Sequence, residues 1–154
     1  MRLSAYFTIA ALVRSDTARR LAIPNRPPIR ILRNLLRLAR GLDRVRRVLG
    51  RPLEISSGYR SPVLNREVGG SPRSRHRAGL AADFVCKPWG TPYQICARLM
   101  RARIPFDQLI HEYGDQADRG WVHVSFDHRA RRDTLTIRSG SRGYRPGVRP
   151  SLRR

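Results

Sequence analysis

Four histidines occur in the chain, His76, His111, His123 and His128, and two of them stand where an imidazole asks for an explanation. In SRHRAGLAADF, residues 74–84, His76 precedes Asp83 by seven positions, and small or apolar residues fill the second half of the stretch. In WVHVSF, residues 121–126, His123 lies inside an apolar run, where an unpartnered imidazole would be costly. Imidazole and carboxylate are the donors on which a hydrolytic zinc site draws, with three protein ligands and a fourth position kept for water. Quieter readings exist for each residue. A histidine in a strand is often a hydrogen-bonded core group, and His76 with Asp83 can be an exposed side chain followed by an ordinary strand.

The elements that would position these groups follow from periodicity. Residues 1–28 read as a partly helical lead-in ending at Pro24 and the Pro27-Pro28 pair. From Arg30 to Leu49, apolar residues recur at three and four positions (Leu32, Leu35, Leu36, Ala39, Leu42, Val45, Leu49) while arginines mark the other faces, which predicts an amphipathic helix stopped by Gly50 and Pro52. A short strand is expected over Leu53 to Ser56, then a Gly-, Ser- and Pro-rich stretch over 61–79 that reads mostly as loop. Gly79 to Cys86 reads as a buried strand. Thr91-Pro92 is an N-cap and first-turn pair opening a helix through about Arg103. Phe106–Tyr113 and Trp121–Phe126 predict an antiparallel hairpin, and Thr134–Arg138 a last strand at an edge. Residues 1–138 thus read as one domain, and 139–154 as a basic, disordered tail. Helices interleaved with a small antiparallel sheet make the fold class α+β.

The 154 residues suffice for one domain with a hydrophobic core. A net charge of +21, almost all from arginine since Lys87 is the one lysine, favours polyanionic surroundings: nucleic acid, an acidic wall polymer or a lipid surface. No interleaving of aromatic and basic residues accompanies the charge, so no specific nucleic-acid partner is expected. Cys86 and Cys96 form no CxxC motif and cannot make a zinc site alone; they read as half-buried free thiols, a disulfide between them being the alternative. MRLSAYFTIAALV is broken by Ser4 and Thr8 and lacks a small-x-small cleavage site, so no credible signal peptide is read there. No stretch approaches the ~18 apolar residues of a membrane span.

SGYRSPVLNREVGG, SRHRAGLAAD, FDQLIHE and WVHVSF follow one another in that order. The set resembles the zinc D-alanyl-D-alanine carboxypeptidase-like family and its phage endolysin relatives, which carry an SGYRSP-type turn, an S-x-H-x-x-G-x-A-x-D motif and a W-x-H motif near the end. The similarity covers residues 7–126, and several motifs in order are far more specific than any one of them. It implies a Hedgehog/D-Ala-D-Ala peptidase-like fold and a zinc metallopeptidase acting on peptidoglycan stem peptides, as a D,D-carboxypeptidase or related endopeptidase. It implies Zn2+ as cofactor, with His76, Asp83 and His123 as metal ligands. Arg60 matches the arginine that holds the substrate's carboxylate or scissile carbonyl, a task suited to a guanidinium's parallel donors. Ser74 matches a polar position beside the metal, where it would orient the loop or the imidazole, or meet substrate. Peptidoglycan peptides are the implied partner, and the basic surface suits acidic wall polymers. A protein made in the cytoplasm would then act at the cell wall, as lytic enzymes of phage or prophage origin do.

The general base departs from the family's patterns. Where some members place a Glu three residues before the last histidine ligand, this chain has Gly120; where others place a His two before it, this chain has Trp121. Glu112 matches a glutamate closing the corresponding strand in the subgroup most similar to this chain. Symmetric hairpin pairing would instead bring His111 onto the face of His123, because faces alternate along a strand. Glu112 is the expected base and His111 the alternative. Asp107 and Gln108 would support the site or merely begin the strand, and His128 reads as solvated or structural. Two rival functions remain at this point: a module that binds peptidoglycan or a partner protein without cutting it, and a nucleic-acid binder driven by charge.

Overall fold

In the computed structural model, which describes residues 1–115 and 119–150, two short helices, α1 (Ile9–Val13) and α2 (Asp16–Arg20), precede the long helix α3 (Ile29–Leu49). The arginine-rich stripe of α3 lies outside, while Leu35, Leu38, Ala39, Leu42 and Val45 are fully buried, and Gly50 ends the helix in the left-handed conformation. Next come β1 (Glu54–Ser57), α4 (Pro62–Glu67), β2 (Ala81–Val85), α5 (Pro92–Arg101), β3 (Gln108–Glu112), β4 (Trp121–Ser125), β5 (Asp133–Ile137) and β6 (Arg145–Pro146). Among the described residues, no helix is long and apolar enough to cross a membrane.

The fold is α+β, with one mixed sheet in the order β1-β2-β4-β3-β5-β6. Every neighbouring pair is antiparallel except β3 and β5, which run parallel. The expected all-antiparallel sheet with Thr134–Arg138 at its edge is corrected on both points: β5 is interior, and β6 pairs outside it. The cause lies at the start of β3. Asp107 is fully buried, and Arg131 in the β4–β5 connection grips both its carboxylate oxygens at 2.8 and 2.9 Å. The Arg132 and Asp133 amides then bond the Phe106 and Asp107 carbonyls, which lands β5 on the free edge of β3.

Two further differences concern segments read as irregular. Within 61–79, residues Pro62–Glu67 form a helix; Ser61 caps it by accepting the Leu64 amide, and Pro62 supplies the first turn. Within the expected tail, β6 pairs with β5, and the Thr136 hydroxyl donates to the Gly147 carbonyl at 2.8 Å while accepting the Arg149 amide at 2.9 Å. Residues 151–154 of that tail lie outside the described residues.

The sheet has two unlike faces. Ala82, Phe84, Leu109, Val122 and Val124 point into the core with α3 and with Ile95, Cys96 and Leu99 of α5. By alternation, Asp83, Gln108, Ile110, Glu112, Trp121 and His123 point to the other side, where a cleft lies. Cys86 and Cys96 are buried free thiols.

Candidate metal centre

His76, Asp83 and His123 meet at the floor of this cleft. Asp83 on β2 pairs directly with His123 on β4, so both side chains leave the sheet on one face. His76 reaches them from the turn before β2. The three converging atoms are His76 Nε2, His123 Nδ1 and Asp83 Oδ1; the imidazole nitrogens are 3.2 Å apart, and they lie 3.2 and 2.9 Å from the carboxylate oxygen. The three residues are 3%, 7% and 5% exposed.

The two sequence motifs explain this convergence. In SGYRSP, a Cβ on Gly58 would lie 2.2 Å from the Leu12 carbonyl oxygen, so only glycine lets the chain come this close. The neighbouring Tyr59 amide bonds that same oxygen at 2.7 Å. The Gly58 carbonyl, held in this way, accepts from His76 Nδ1 at 2.7 Å. A carbonyl can only accept, so Nδ1 carries the proton and the Nε2 lone pair faces the cleft. Arg60 donates from Nη2 to Asp83 Oδ2 at 2.7 Å and from Nε to Ser57 Oγ at 2.8 Å, which leaves Oδ1 for the imidazoles. In SRHRAGLAAD, Ser74 Oγ accepts the His76 amide, and Gly79 takes φ +69°, where a Cβ would sit 2.6 Å from Ile31 Cγ2. That turn brings His76 back over the strand carrying Asp83.

His76 Nε2, His123 Nδ1 and Asp83 Oδ1 are thus near enough to one another to serve together as donors to one cation. Donors about 2.0–2.1 Å from an ion on tetrahedral corners are roughly 3.3 Å apart, so the observed triangle fits a single ion of zinc type, and the three residues form the metal-capable group among the described residues. Burial would raise the Asp83 carboxyl, but the neighbouring imidazoles outweigh it and hold the group well below the usual carboxylate range.

Glu112 closes β3 on the same face. The register sets Ile110 opposite His123 and Glu112 opposite Trp121, so Glu112 lines the cleft with His123. Burial, then the charge of Asp83, pushes its carboxyl up to about 7, while His123, the Trp121 indole and Arg60 act in the opposite sense. The symmetric pairing that would favour His111 is not formed. His111 faces the core side, with Nδ1 3.0 Å from the Arg149 carbonyl and its ring beside Tyr93. His128 is exposed against the Arg37 guanidinium. Asp107 anchors the β4–β5 connection rather than the cleft floor, and Gln108, bonded to Asp133, lines the cleft. Arg131 and Tyr144 also line it and were not singled out from the sequence. Tyr144 carries no local signal beyond its aromatic ring, since nothing near it in sequence tells that its segment folds back.

The family model described as Peptidase M15 matches residues 5–125. The chain belongs to the peptidase M15 family. No curated protein matches it closely enough to count as a relative. As an M15 peptidase the chain is a hydrolase of peptide bonds, and its His–Asp–His group is compatible with metallopeptidase chemistry. The M15 match ends at the last residue of β4, so β5 and β6 lie beyond it.

Proposed function

We propose that this M15 peptidase is zinc-dependent and hydrolyses stem peptides of peptidoglycan at the cell wall, as a D,D-carboxypeptidase or related endopeptidase. The observation that carries the reading is the convergence of His76 Nε2, His123 Nδ1 and Asp83 Oδ1 with the Glu112 carboxyl on the same face. The three side chains would hold zinc, which when bound supplies Lewis acidity to the scissile carbonyl and to the attacking water.

The rest belongs to the protein's own groups. Glu112 removes a proton from the water and returns it to the leaving amine. A carboxyl raised to about 7 suits both halves of that exchange, because a base must release its proton again within the cycle. Arg60 fixes the Asp83 carboxylate and keeps Nη1 for a substrate oxygen. Ser74 holds the His76 loop through the amide bond already described. The +21 surface suits the acidic polymers of a wall.

The test is mass spectrometry of fragments released from purified peptidoglycan by zinc-loaded protein. Stem-peptide bonds should be cut, and His76→Ala and Asp83→Ala should lose zinc and activity together. Bound zinc without any cleavage would leave the non-cutting module in place of the enzyme. DNA binding that survives both substitutions, in a protein that holds no zinc, would favour the polyanion binder.

A further inference from the structure

Between α3 and the segment that follows β4 lies a cavity of about 360 Å³ that shares no lining residue with the metal cleft. Arg33, Arg37, Arg40 and Arg44 form its helix wall. Their spacing of four, three and four residues puts them on one face of α3. At about 1.5 Å per residue the stripe runs for about 16.5 Å. Gly41 lies between Arg37 and Arg44 and lines the same cavity, where a Cβ would sit 2.4 Å from Phe126 Cδ2. A glycine inside a helix costs stability; here it lets α3 come down onto the Phe126 ring, which floors the groove.

Like charges three and four residues apart work against the helix that carries them, so nearby acids would be expected to offset them. The acids within reach are committed elsewhere. Asp43, the one acid of α3, is buried and accepts the Ser4 hydroxyl at 2.8 Å and the Ala5 amide at 3.1 Å. Asp127 lines the groove but gives Oδ2 to Arg75 at 2.8 Å and Oδ1 to the His128 amide. Among the described residues, no hydrogen bond or ion pair engages the side chains of Arg33, Arg40 and Arg44, while Arg37 Nη2 lies 3.1 Å from His128 Nδ1. Four guanidiniums therefore line one concave path without a carboxylate of their own.

The shape and the lining select among anions. Guanidinium forks match phosphate oxygens, and cations in file along a groove match a single chain better than a flat bilayer. A nucleic-acid strand would call for rings on which its bases stack. The one benzene ring here, Phe126, is 4% exposed, and the His128 imidazole stands against Arg37. Resting on the wall-polymer reading of the basic surface above, we propose that this groove is a binding site for a linear polyol phosphate, a chain of glycerol-type units joined by phosphodiesters. It localises to one face of α3 an attraction that net charge alone would spread over the whole surface, and it works apart from the metal centre.

The test is binding of a labelled glycerol phosphate oligomer to the full chain, followed by fluorescence anisotropy. The triple variant Arg33→Gln, Arg40→Gln, Arg44→Gln should bind at least about tenfold more weakly, with a salt dependence shallower by about two in log–log slope. Arg20→Gln, Arg98→Gln, Arg101→Gln removes the same charge from exposed positions elsewhere, and should lose less than about threefold at about 0.1 M salt, where distant charges are screened. Both variants should melt close to the parent; the single variant Arg40→Gln, with a loss of about threefold, decides the matter if the triple variant does not. Equal losses in the two triple variants would overturn the groove and leave a diffuse attraction to wall polymers standing. No binding of the oligomer by the parent chain would overturn the wall-polymer reading and the groove together, with the cleavage of stem peptides untouched. Tighter binding, by about tenfold or more, of an oligothymidylate with as many phosphates, or of phosphatidylglycerol vesicles, would overturn the proposal in favour of a nucleic acid or a bilayer.

Discussion

His111 and His123 lie on adjacent strands, are 2% and 7% exposed, and face opposite sides of one sheet. The ring of His111 has the Arg149 carbonyl at Nδ1, and its buried Nε2 has no hydrogen-bond partner among the described residues. Burial lowers its pKa, against the opposing effect of the Arg149 carbonyl. His123 instead has His76 Nε2 and Asp83 Oδ1 at 3.2 and 2.9 Å from its Nδ1. Composition and burial are nearly the same for the two residues. The difference comes from strand alternation: in Trp-Val-His-Val, the valines serve the core and the histidine between them is free to serve the cleft. A polar residue inside an apolar run thus marks a sheet with a working face, provided its neighbours on that face also carry chemistry.

Replacing each histidine tests that contrast, and this is where the largest effect is expected. His123→Ala should abolish activity and lower metal affinity by two orders of magnitude or more, since zinc sites of this kind rest on three protein ligands. His111→Leu should leave metal content and activity unchanged and shift stability by about 1–2 kcal/mol, removing an unsatisfied nitrogen but also the Arg149 contact. Metal analysis beside thermal unfolding reads both. Metal loss from His111→Leu would erase the distinction between the faces.

The next effect separates groups within the working face. Glu112→Gln should retain metal and lose about 10²–10⁴-fold in kcat, as removal of a general base does. Its raised pKa has an opposite sign to that of an ordinary paired carboxylate. A folded-state value about 7 above the usual 4.5 means that the folded protein binds the proton more tightly. The contribution to stability is therefore fully present below pH 4.5 and lost as pH rises through about 7. Chemical unfolding of the metal-free protein from pH 5 to 8 should show this decline in the parent chain and not in Glu112→Gln. Equal pH slopes would remove Glu112 from its buried place beside Asp83.

How far the sequence carried this site follows from which contacts are local. SGYRSP was legible because its residues act near one another: Gly58 makes the close approach, Arg60 reaches back to Ser57, and Ser61-Pro62 opens α4. That last signal was present in the sequence, though the stretch was read as loop. His76, Asp83 and His123 were legible as an ordered set of motifs. The face of Glu112 was not, because adjacent Leu109 and Ile110 make both faces of β3 apolar and leave its register to the connection between β3 and β4. The parallel placement of β5 rests on Asp107 meeting Arg131, 24 positions apart, and no local pattern encodes such a pair.

That pair also gives the smallest effect, and it belongs to architecture rather than chemistry. Hydrogen bonds from Arg131, working against burial, hold the Asp107 carboxyl below the usual range. A depressed acid contributes stability above its unfolded value, about 3.9, and loses the contribution as pH falls below it. Arg131→Leu leaves a buried carboxylate without its main partner, at a cost of about 1–3 kcal/mol near neutrality, and much less once the group is protonated. Melting temperatures should therefore differ between the parent and Arg131→Leu by several degrees at pH 7 and converge toward pH 3. A gap that stays constant across that range would mean that Arg131 holds β5 through packing, and that the charge on Asp107 has no part in setting the parallel strand.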